Sequence, residues 1–319
     1  MDVGYLLSAA AVRVTGTSLR NGIQVDYEPL IDALVQQAEA LSELPVLRVH
    51  WYDSARDGVP DNRQQFIGEL PNVKLRLGRF GVDGQQKGVD VRIGLDLVTH
   101  ARNRAADVFI LVSGDDDLTE AVEEAQVHGV QVILLAVPNG MYKPHGISRH
   151  LIRAADGLKI IFPETVDQTV TKVEVSPAVQ PTAQPISMAP SDVRPRIRAT
   201  SKGLSARDGT GAFRQPSALA SATLIESEPS GTPNFEDAAE QVEQVDSVVD
   251  NVLATFRRSA TPEAVAELTA GKPSIPRDID KALLTDLSDR CGGIDLSETV
   301  RHQLRARFWD KYDEPGYGS

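Results

Sequence analysis

The first half of the chain alternates short apolar runs with helical patterns, and this alternation limits the fold more than any other feature of the sequence. The runs typical of strands are VLRVHWYD, VKLRLGRF, VFILV, VQVILLAV and LKIIF. Helical patterns alternate with them, and the first, YEPLIDALVQQAEAL, comes before the first of these runs. Nearly continuous apolar strands separated by helices indicate a mostly parallel sheet with helices on both faces. Residues 1–165 are therefore predicted to form one α/β domain.

The second half of the chain divides at about residue 234. Residues 166–234 are rich in Pro, Ser, Thr, Gln and Ala and have no persistent period. Such a segment buries too little apolar surface to offset the entropy lost on ordering, so we predict a disordered linker. Residues 235–314 carry amphipathic helical patterns and are predicted to form a small helical domain.

The last helical pattern, LSETVRHQLRARFWDKY, has both a basic and an apolar character. Its cations are Arg301, Arg305, Arg307 and Lys311, and its apolar stripe includes Leu304 and Phe308. This pattern is typical of a packing helix in a small bundle. The alternatives are that it binds RNA, another protein or a second copy of the chain.

The composition narrows the class of protein. A formal net charge of −12 argues against charge-driven coating of nucleic acid, although it allows a local basic surface. The single cysteine, Cys291, excludes an intramolecular disulfide and, without a Cys/His cluster, offers no zinc-finger spacing. No export signal or apolar stretch of about 18 residues is present. We expect a cytoplasmic protein that does not enter a membrane.

The stretch SGDDDL places Asp115, Asp116 and Asp117 directly after an apolar strand. Ligands of parallel α/β sheets bind beyond the carboxyl ends of the strands. The first and third acids can face one crevice while the middle one turns away. Asp90 opens a helical pattern and Asp2 stands at the N-terminus. If these four converge, their charges favour a hard divalent cation with oxygen ligands, Mg²⁺ or Mn²⁺.

Each acid also has an ordinary structural interpretation. Ser113 or an aspartate beside it could cap the helix that starts near Leu118, since both residue types accept from exposed amides at helix N-termini. Asp90 alone could be a common first-turn acid. The metal hypothesis therefore depends on the set rather than on any single residue.

Five segments together resemble a known family. They are the N-terminal D-x-G-Y, KGVD at a helix start, SGDDDL after a strand, GVQVILL, and SRHLIRAADGLKII. Over residues 1–162 the chain is similar to the NYN domain family, in the LabA-like branch of the PIN-like nuclease superfamily. The resemblance implies a PIN-like α/β/α sandwich that cleaves RNA with Mg²⁺ or Mn²⁺. It implies that Asp2, Asp90, Asp115 and Asp117 are the catalytic, metal-holding acids and that Asp116 is less constrained.

Several other residues are weaker candidates for contacting the RNA. Tyr5 stands where the family usually has Asn, and a phenol can also donate a hydrogen bond. Ser113 is expected to orient the turn. The cationic candidates are Lys87, Lys143 and Arg149, and His145 lies in the same loop as Lys143. An exposed loop residue without a role is the simpler interpretation of Lys87 and of His145.

The resemblance places an apolar strand before Asp2, near the centre of the sheet, whereas only Met1 precedes it here. We expect translation to begin upstream of this Met1. The replacement of the usual Asn by Tyr5 and the absence of this strand also leave open a different class of function, a non-catalytic RNA-binding or regulatory scaffold. A Toprim-like nuclease uses a similar Asp pair, but it requires a glutamate after an earlier strand that we cannot place.

Overall fold

The structure is a computed structural model, and it describes residues 1–55, 58–80, 86–173, 238–292 and 296–314. The first half contains α1 (Val3–Thr15), β1 (Ile23–Val25), α2 (Tyr27–Ser42), β2 (Val49–Ala55), α3 (Asn62–Glu69), β3 (Val73–Phe80), β4 (Gln86–Lys87), α4 (Val89–Arg102), β5 (Val108–Leu111), α5 (Thr119–Val127), β6 (Gln131–Ala136), α6 (Arg149–Ala154), β7 (Gly157–Ile160), α7 (Pro163–Thr169) and β8 (Val170–Lys172). The second half contains α8 (Ala238–Ser259), α9 (Pro262–Ala270), α10 (Arg277–Arg290) and α11 (Glu298–Asp313). The described residues of both halves form one compact unit.

The strands of the first half form two three-stranded sheets, in the orders β2-β3-β4 and β5-β6-β7. All pairs in these two sheets are parallel except the short pair β3-β4. A separate antiparallel pair joins β1 to β8. The apolar residues of β6 are buried along the strand, as expected of a strand with helices over both faces. The predicted mixed α/β class with a mostly parallel sheet is confirmed.

The two larger sheets meet at the first two residues of the chain. Asp2 forms a parallel bridge with Tyr52 of β2, and its amide donates to the carbonyl of Val112, just beyond β5, at 2.8 Å. The amide of Tyr52 donates to the carbonyl of Met1 at 3.0 Å. Beside this junction a cavity of about 460 Å³ extends between β2 and β5. The junction therefore lies where the resemblance places the first strand, and it fixes Asp2 beside the middle of β2 and just beyond the carboxyl end of β5.

The ordered part of the first half continues beyond the predicted boundary at residue 165. Residues of α7 and β8 extend it to residue 173. Val166 and Val170 are buried in the core of the domain, and β8 is paired with β1, so these residues gain both apolar burial and backbone hydrogen bonds. The predicted linker therefore begins too early. The rest of it, residues 174–234, lies outside the described residues.

The helices of the second half surround a core of their own. Leu304 and Phe308 of α11 are fully buried there, as the packing hypothesis for that helix requires. The basic residues of α11 pair inside the bundle: Arg305 with Asp280, Arg307 with Asp246, and Lys311 with Asp250. Their charges are thus neutralised by neighbouring helices. Within the described ranges, no helix combines the length and the apolar character that crossing a membrane requires.

The helical bundle packs against the segment that follows α1. Leu19 is buried within the bundle core rather than in the core of its own domain. A Cβ on Gly22 would lie 2.2 Å from the Cγ2 of Thr255, so the backbone of a 3₁₀ turn, Arg20–Gly22, rests directly on α8. This close approach requires glycine at residue 22.

Candidate active site

Asp2 is held at the start of α1 by two hydrogen bonds. Its Oδ1 accepts from the amide of Tyr5 at 3.2 Å, which makes Asp2 the N-cap of the helix. Its Oδ2 accepts from the hydroxyl of Ser113 at 3.1 Å. Burial raises the pKa of the Asp2 carboxyl, and the Tyr5 amide and the Ser113 hydroxyl oppose this rise. Asp2 is therefore a buried carboxylate with a fixed orientation.

The SGDDDL turn is joined to Asp2 through Ser113, which is fully buried. The amide of Asp115 lies 3.4 Å from the Ser113 Oγ, and the Asp115 carboxylate accepts from the amide of Asp117 at 3.0 Å. Asp115 thus caps the short 3₁₀ turn Asp116–Leu118, as the helix-cap interpretation predicts. Only one oxygen of Asp115 takes part in this cap. Capping therefore does not exclude a second role for its carboxylate.

Gly114 allows the turn to approach the loop that precedes α6. Its carbonyl accepts from the amide of Ser148 at 2.9 Å. A Cβ at this position would lie 1.8 Å from the carbonyl oxygen of Gly146 and 2.9 Å from the ring of Tyr5. No side chain fits there, so the glycine is a requirement of the packing.

Asp90, in the first turn of α4, connects the four predicted acids electrostatically. Burial raises the pKa of its carboxyl, and the charges of Asp115, Asp2 and Asp117 raise it further. The aspartates that perturb Asp90 are thus the other three members of the predicted set. Asp90 is thus within electrostatic range of the other three acids, and α4 packs against the 3₁₀ turn Asp116–Leu118 of the SGDDDL element.

Asp116 has a different environment from its two neighbours. Its carboxylate accepts from the Ser148 hydroxyl and lies 3.3 Å from the Nδ1 of His150. The Ser148 hydroxyl, followed by His150, lowers the pKa of the Asp116 carboxyl. Asp116, the residue that the resemblance implies is less constrained, attaches the turn to the start of α6 through these contacts.

The donor set of the four aspartates fits a hydrated hard cation. All available ligands are carboxylate oxygens, which is the chemistry that Mg²⁺ and Mn²⁺ prefer. No three of these aspartates, all of which are described, bring one oxygen each within 4.8 Å of the others. Mg²⁺ commonly keeps several waters and uses only one or two protein carboxylates directly. An open cluster of this kind is therefore compatible with the ion.

Comparison with known proteins identifies the domain that carries this cluster. A family model described as "NYN domain" matches residues 9–162. Residues 9–162 of this chain are an NYN domain. The predicted family is confirmed, and NYN domains are generally nucleases of the PIN-like type. The matched range contains Asp90, Asp115 and Asp117 and begins after Asp2 and Tyr5.

A curated relative adds a second similarity. The uncharacterized protein y4oD of Sinorhizobium fredii is 46% identical over 74 residues. The alignment covers 23% of this chain and 35% of the relative, so the chain spans about a third of that protein's length. No solved structure matches the chain.

A second possible metal site in the NYN domain lies away from the aspartates. His50 of β2 and Asp96 and His100 of α4 place one ligand atom each within 4.8 Å of one another. From Asp90 to His100 the helix rises roughly 15 Å. The spacing of four residues between Asp96 and His100 puts both on one helical face, and this spacing is the sequence signal for the pair. Only the tertiary structure adds His50.

This triad already has internal partners. The hydroxyl of Tyr52 donates to Asp96 at 2.9 Å and lies 3.1 Å from the Nδ1 of His50. The Nε of Arg76 lies 3.3 Å from the same carboxylate. Burial, followed by His100 and Arg76, lowers the pKa of His50 to about 4, so its imidazole is neutral at pH 7. The triad can bind a cation only in competition with the guanidinium, which makes it the weaker of the two sites.

Tyr5 of the NYN domain fixes a loop instead of facing a substrate. Its hydroxyl donates to the carbonyl of His145 at 2.9 Å and accepts from the amide of Val137 at 3.2 Å. Burial raises the pKa of this phenol, so it keeps its proton. Tyr5 thus holds both ends of the loop after β6.

The predicted cationic contacts do not all lie near the aspartates. Arg149 is exposed at the start of α6, next to the residues that contact Asp116. Lys143 is in a loop whose residue Asn139 contacts Arg13, and α1 rises roughly 16 Å between Asp2 and Arg13. Lys87 ends β4, but its side chain lies outside the described residues. The structure thus brings Arg149 close to the SGDDDL turn, whereas Lys143 lies in the loop that contacts Arg13 near the end of α1.

Proposed function

We propose that this chain is a ribonuclease that hydrolyses RNA phosphodiester bonds with the help of Mg²⁺ or Mn²⁺. The observation that carries the proposal is the Ser113 hydroxyl, which joins the Asp2 carboxylate to the SGDDDL turn, with Asp90 within electrostatic range of Asp2, Asp115 and Asp117. Four carboxylates at the carboxyl edge of a parallel sheet repel one another, and a divalent cation relieves that repulsion. The SGDDDL element supports assignment of the domain to the LabA-like branch. The single cysteine supports a cytoplasmic location for the protein.

The aspartates and their neighbours would divide the work as follows. Asp2, Asp90, Asp115 and Asp117 would hold the ion, which supplies charge neutralisation at the phosphate and activation of the attacking water. Ser113 orients Asp2 and, through the amide of Asp115, keeps the turn beside it. A fixed orientation matters because a ligand that moves by 1 Å loses much of its contribution to catalysis.

The deciding experiment compares RNA cleavage by the full chain and by an Asp115→Asn, Asp117→Asn double variant. Single-stranded and structured RNA are incubated with Mg²⁺ or Mn²⁺, and parallel reactions contain EDTA. We expect cleavage by the unmodified chain that EDTA abolishes and that falls by at least 100-fold in the double variant, because two of four carboxylate ligands are lost. Undiminished cleavage by the double variant would contradict the proposal.

Two matched controls locate the cation. Asp116→Asn removes a carboxylate from the same turn but keeps an oxygen that can accept from Ser148, so cleavage should be retained. His100→Ala removes a member of the triad and should also leave the cleavage rate unchanged. If the cleavage rate depends on His100 but not on Asp115 and Asp117, the catalytic cation binds at the triad instead of at the aspartates.

A non-catalytic RNA-binding scaffold is the second candidate function. Two observations favour it: the hydroxyl of Tyr5 is used inside the domain, and the aspartate oxygens are not gathered within 4.8 Å. The same experiment distinguishes the two functions. RNA that is retained in EDTA and never cleaved, with either metal, would establish the scaffold.

A further inference from the structure

Helix α10 of the bundle is fixed across one end of the NYN domain by polar contacts. The carboxylate of Asp286 accepts from the hydroxyl of Thr17 at 2.5 Å and from the amide of Ser18 at 2.9 Å. All three residues are buried. One turn later, Asp289 pairs with the Nε2 of His145 at 3.2 Å, in the loop held by Tyr5. The helix therefore reaches from the end of α1 to the loop after β6.

A small cleft lies between the first part of α10 and the NYN domain. Its polar lining comes from Ser8, Ser18, Arg20 and Asn21 on one side and from Lys281 and Thr285 on the other. Asp278 also reaches the cleft. Hydroxyl, amide and cationic groups thus line a surface formed by two parts of the chain that are far apart in sequence.

Two cations line this cleft, Arg20 and Lys281, and Arg277 lies one helical turn before Lys281 on α10. The side chains of these three residues form no ion pair or hydrogen bond with any described residue, whereas Arg305, Arg307 and Lys311 of α11 are paired. Arg277 and Lys281 are one helical turn apart, so they project from the same face of α10. We refer to Arg20, Arg277 and Lys281 as the basic crevice.

The basic crevice lies less than two helical turns from Asp2, because Ser8 of α1 lines the cleft and the helix rises roughly 9 Å between Asp2 and Ser8. Lys281 is exposed, yet its ammonium lies in a concave surface with protein on several sides. Burial and then the charge of Arg20 lower the pKa of Lys281, while Asp2 and Asp90 oppose that change. The ammonium is thus within electrostatic range of two of the proposed metal ligands. It faces solvent in a groove and has no partner among the described residues.

We propose that the basic crevice binds a phosphate of the RNA backbone next to the aspartate site, so that α10 forms one wall of the substrate channel. The proposal rests on the proposed function, because it assigns the substrate of the same site. Grouped cations repel one another, and a phosphate relieves this repulsion and accepts hydrogen bonds from Lys281 and Arg20. The single carboxylate at the cleft, that of Asp278, does not offset the positive charges, so the crevice stays cationic.

The test measures binding and cleavage by the full chain with Lys281→Gln and, separately, Arg20→Gln. A fluorescein-labelled single-stranded RNA with 2′-O-methyl riboses serves for binding by anisotropy, and the unmodified RNA serves for cleavage. We expect each variant to weaken binding about 5-fold to 10-fold, to raise KM similarly and to leave kcat within about 2-fold. Loss of one phosphate contact should also reduce the slope of log K against log salt by about 0.7.

Two controls separate a phosphate contact from a change of structure. Lys74→Gln removes an exposed lysine near the start of β3, at the opposite edge of the sheet, and should leave the slope unchanged. Lys281→Arg keeps the charge and should restore binding. If the slope of log K against log salt is unchanged in both glutamine variants, the crevice does not bind a phosphate. The nuclease proposal would not be affected by that result.

The remaining outcomes also distinguish the two proposals. Binding that depends on Lys281 and Arg20 in a chain that never cleaves would support the crevice and contradict the nuclease. An unmodified chain that cleaves RNA but does not bind the methylated strand more tightly than its variants would contradict the crevice alone.

Discussion

At the residue scale, the geometry of the site depends on a glycine as much as on the acids. Gly114 lets the SGDDDL turn contact the loop before α6, and Tyr5 fills the adjacent space. Two nearby carboxylates are then fixed by hydrogen bonds from serine hydroxyls: Asp2 accepts from Ser113, and Asp116 accepts from Ser148. The motif thus combines metal-ligand candidates with residues that only position the turn.

Substituting Gly114 by alanine should destabilise the NYN domain. The added Cβ would lie 1.8 Å from the carbonyl oxygen of Gly146, a contact that only a backbone shift can remove. We expect a loss of about 1–3 kcal/mol in the free energy of unfolding, measured by urea denaturation. Gly140→Ala is the control, since nothing lies within 4 Å of its added Cβ. Equal stability of the two variants would show that the turn is looser than described.

At the element scale, α10 belongs to the helical bundle but makes its buried polar contacts with the NYN domain. Asp286 accepts from Thr17 and Ser18, and all of these groups lack access to solvent. Burial raises the pKa of Asp286, and the hydrogen bonds from Thr17 and Ser18 oppose the rise. A carboxyl with a raised pKa in the folded state stabilises that state at low pH, and this contribution is lost as pH rises through the raised pKa.

The stability of Asp286 variants should therefore depend on pH in a defined direction. Relative to the unmodified chain, Asp286→Asn should gain stability as pH rises from 3.8 towards 7, because asparagine retains one accepting oxygen and never carries a buried charge. Asp286→Ala should be about 1–3 kcal/mol less stable than Asp286→Asn at every pH, because neither variant titrates at residue 286 and alanine leaves the Thr17 hydroxyl and the Ser18 amide without an acceptor. Urea denaturation at several pH values measures both. A pH-independent difference for the asparagine variant would contradict the raised pKa.

At the scale of the whole molecule, the NYN domain and the helical bundle have separate cores that meet at residues 17–22. Leu19 is inserted into the bundle core, and Gly22 touches Thr255. The division into three predicted domains stays a prediction, but the described parts of the first and third form one compact unit. This arrangement predicts cooperative unfolding.

The two tryptophans of the chain can test this cooperativity. Trp51 is fully buried in the NYN core, and Trp309 is buried in the bundle. Trp309→Phe leaves a fluorophore that reports on the NYN core, and Trp51→Phe leaves one that reports on the bundle. After correction for the separately measured stability of each variant, we expect coincident thermal transitions. Adding Gly22→Ala should separate them, because the methyl group forces the two bodies apart. Distinct transitions without that substitution would show that the halves unfold independently.

The sequence by itself determined the local features of this protein. Strands β2, β3, β5, β6 and β7 and helix α2 follow from short-range periodicity, and Gly129 adopts the left-handed conformation expected just after α5. The position of the SGDDDL turn after β5 follows from the same pattern. These predictions succeeded because they depend on residues within a few positions of one another.

Only the tertiary structure decided which distant groups meet. Thr17 and Asp286 are separated by 269 positions, and the triad joins a strand to a helix whose contacts no local pattern encodes. The association of Asp90 with the other acids was an inference from sheet topology, while Lys281 had no sequence signal at all. Hydrophobic periodicity specifies which face of an element is buried but not against which element. Charge neighbours, and with them the pKa values and the basic crevice, are therefore set by packing.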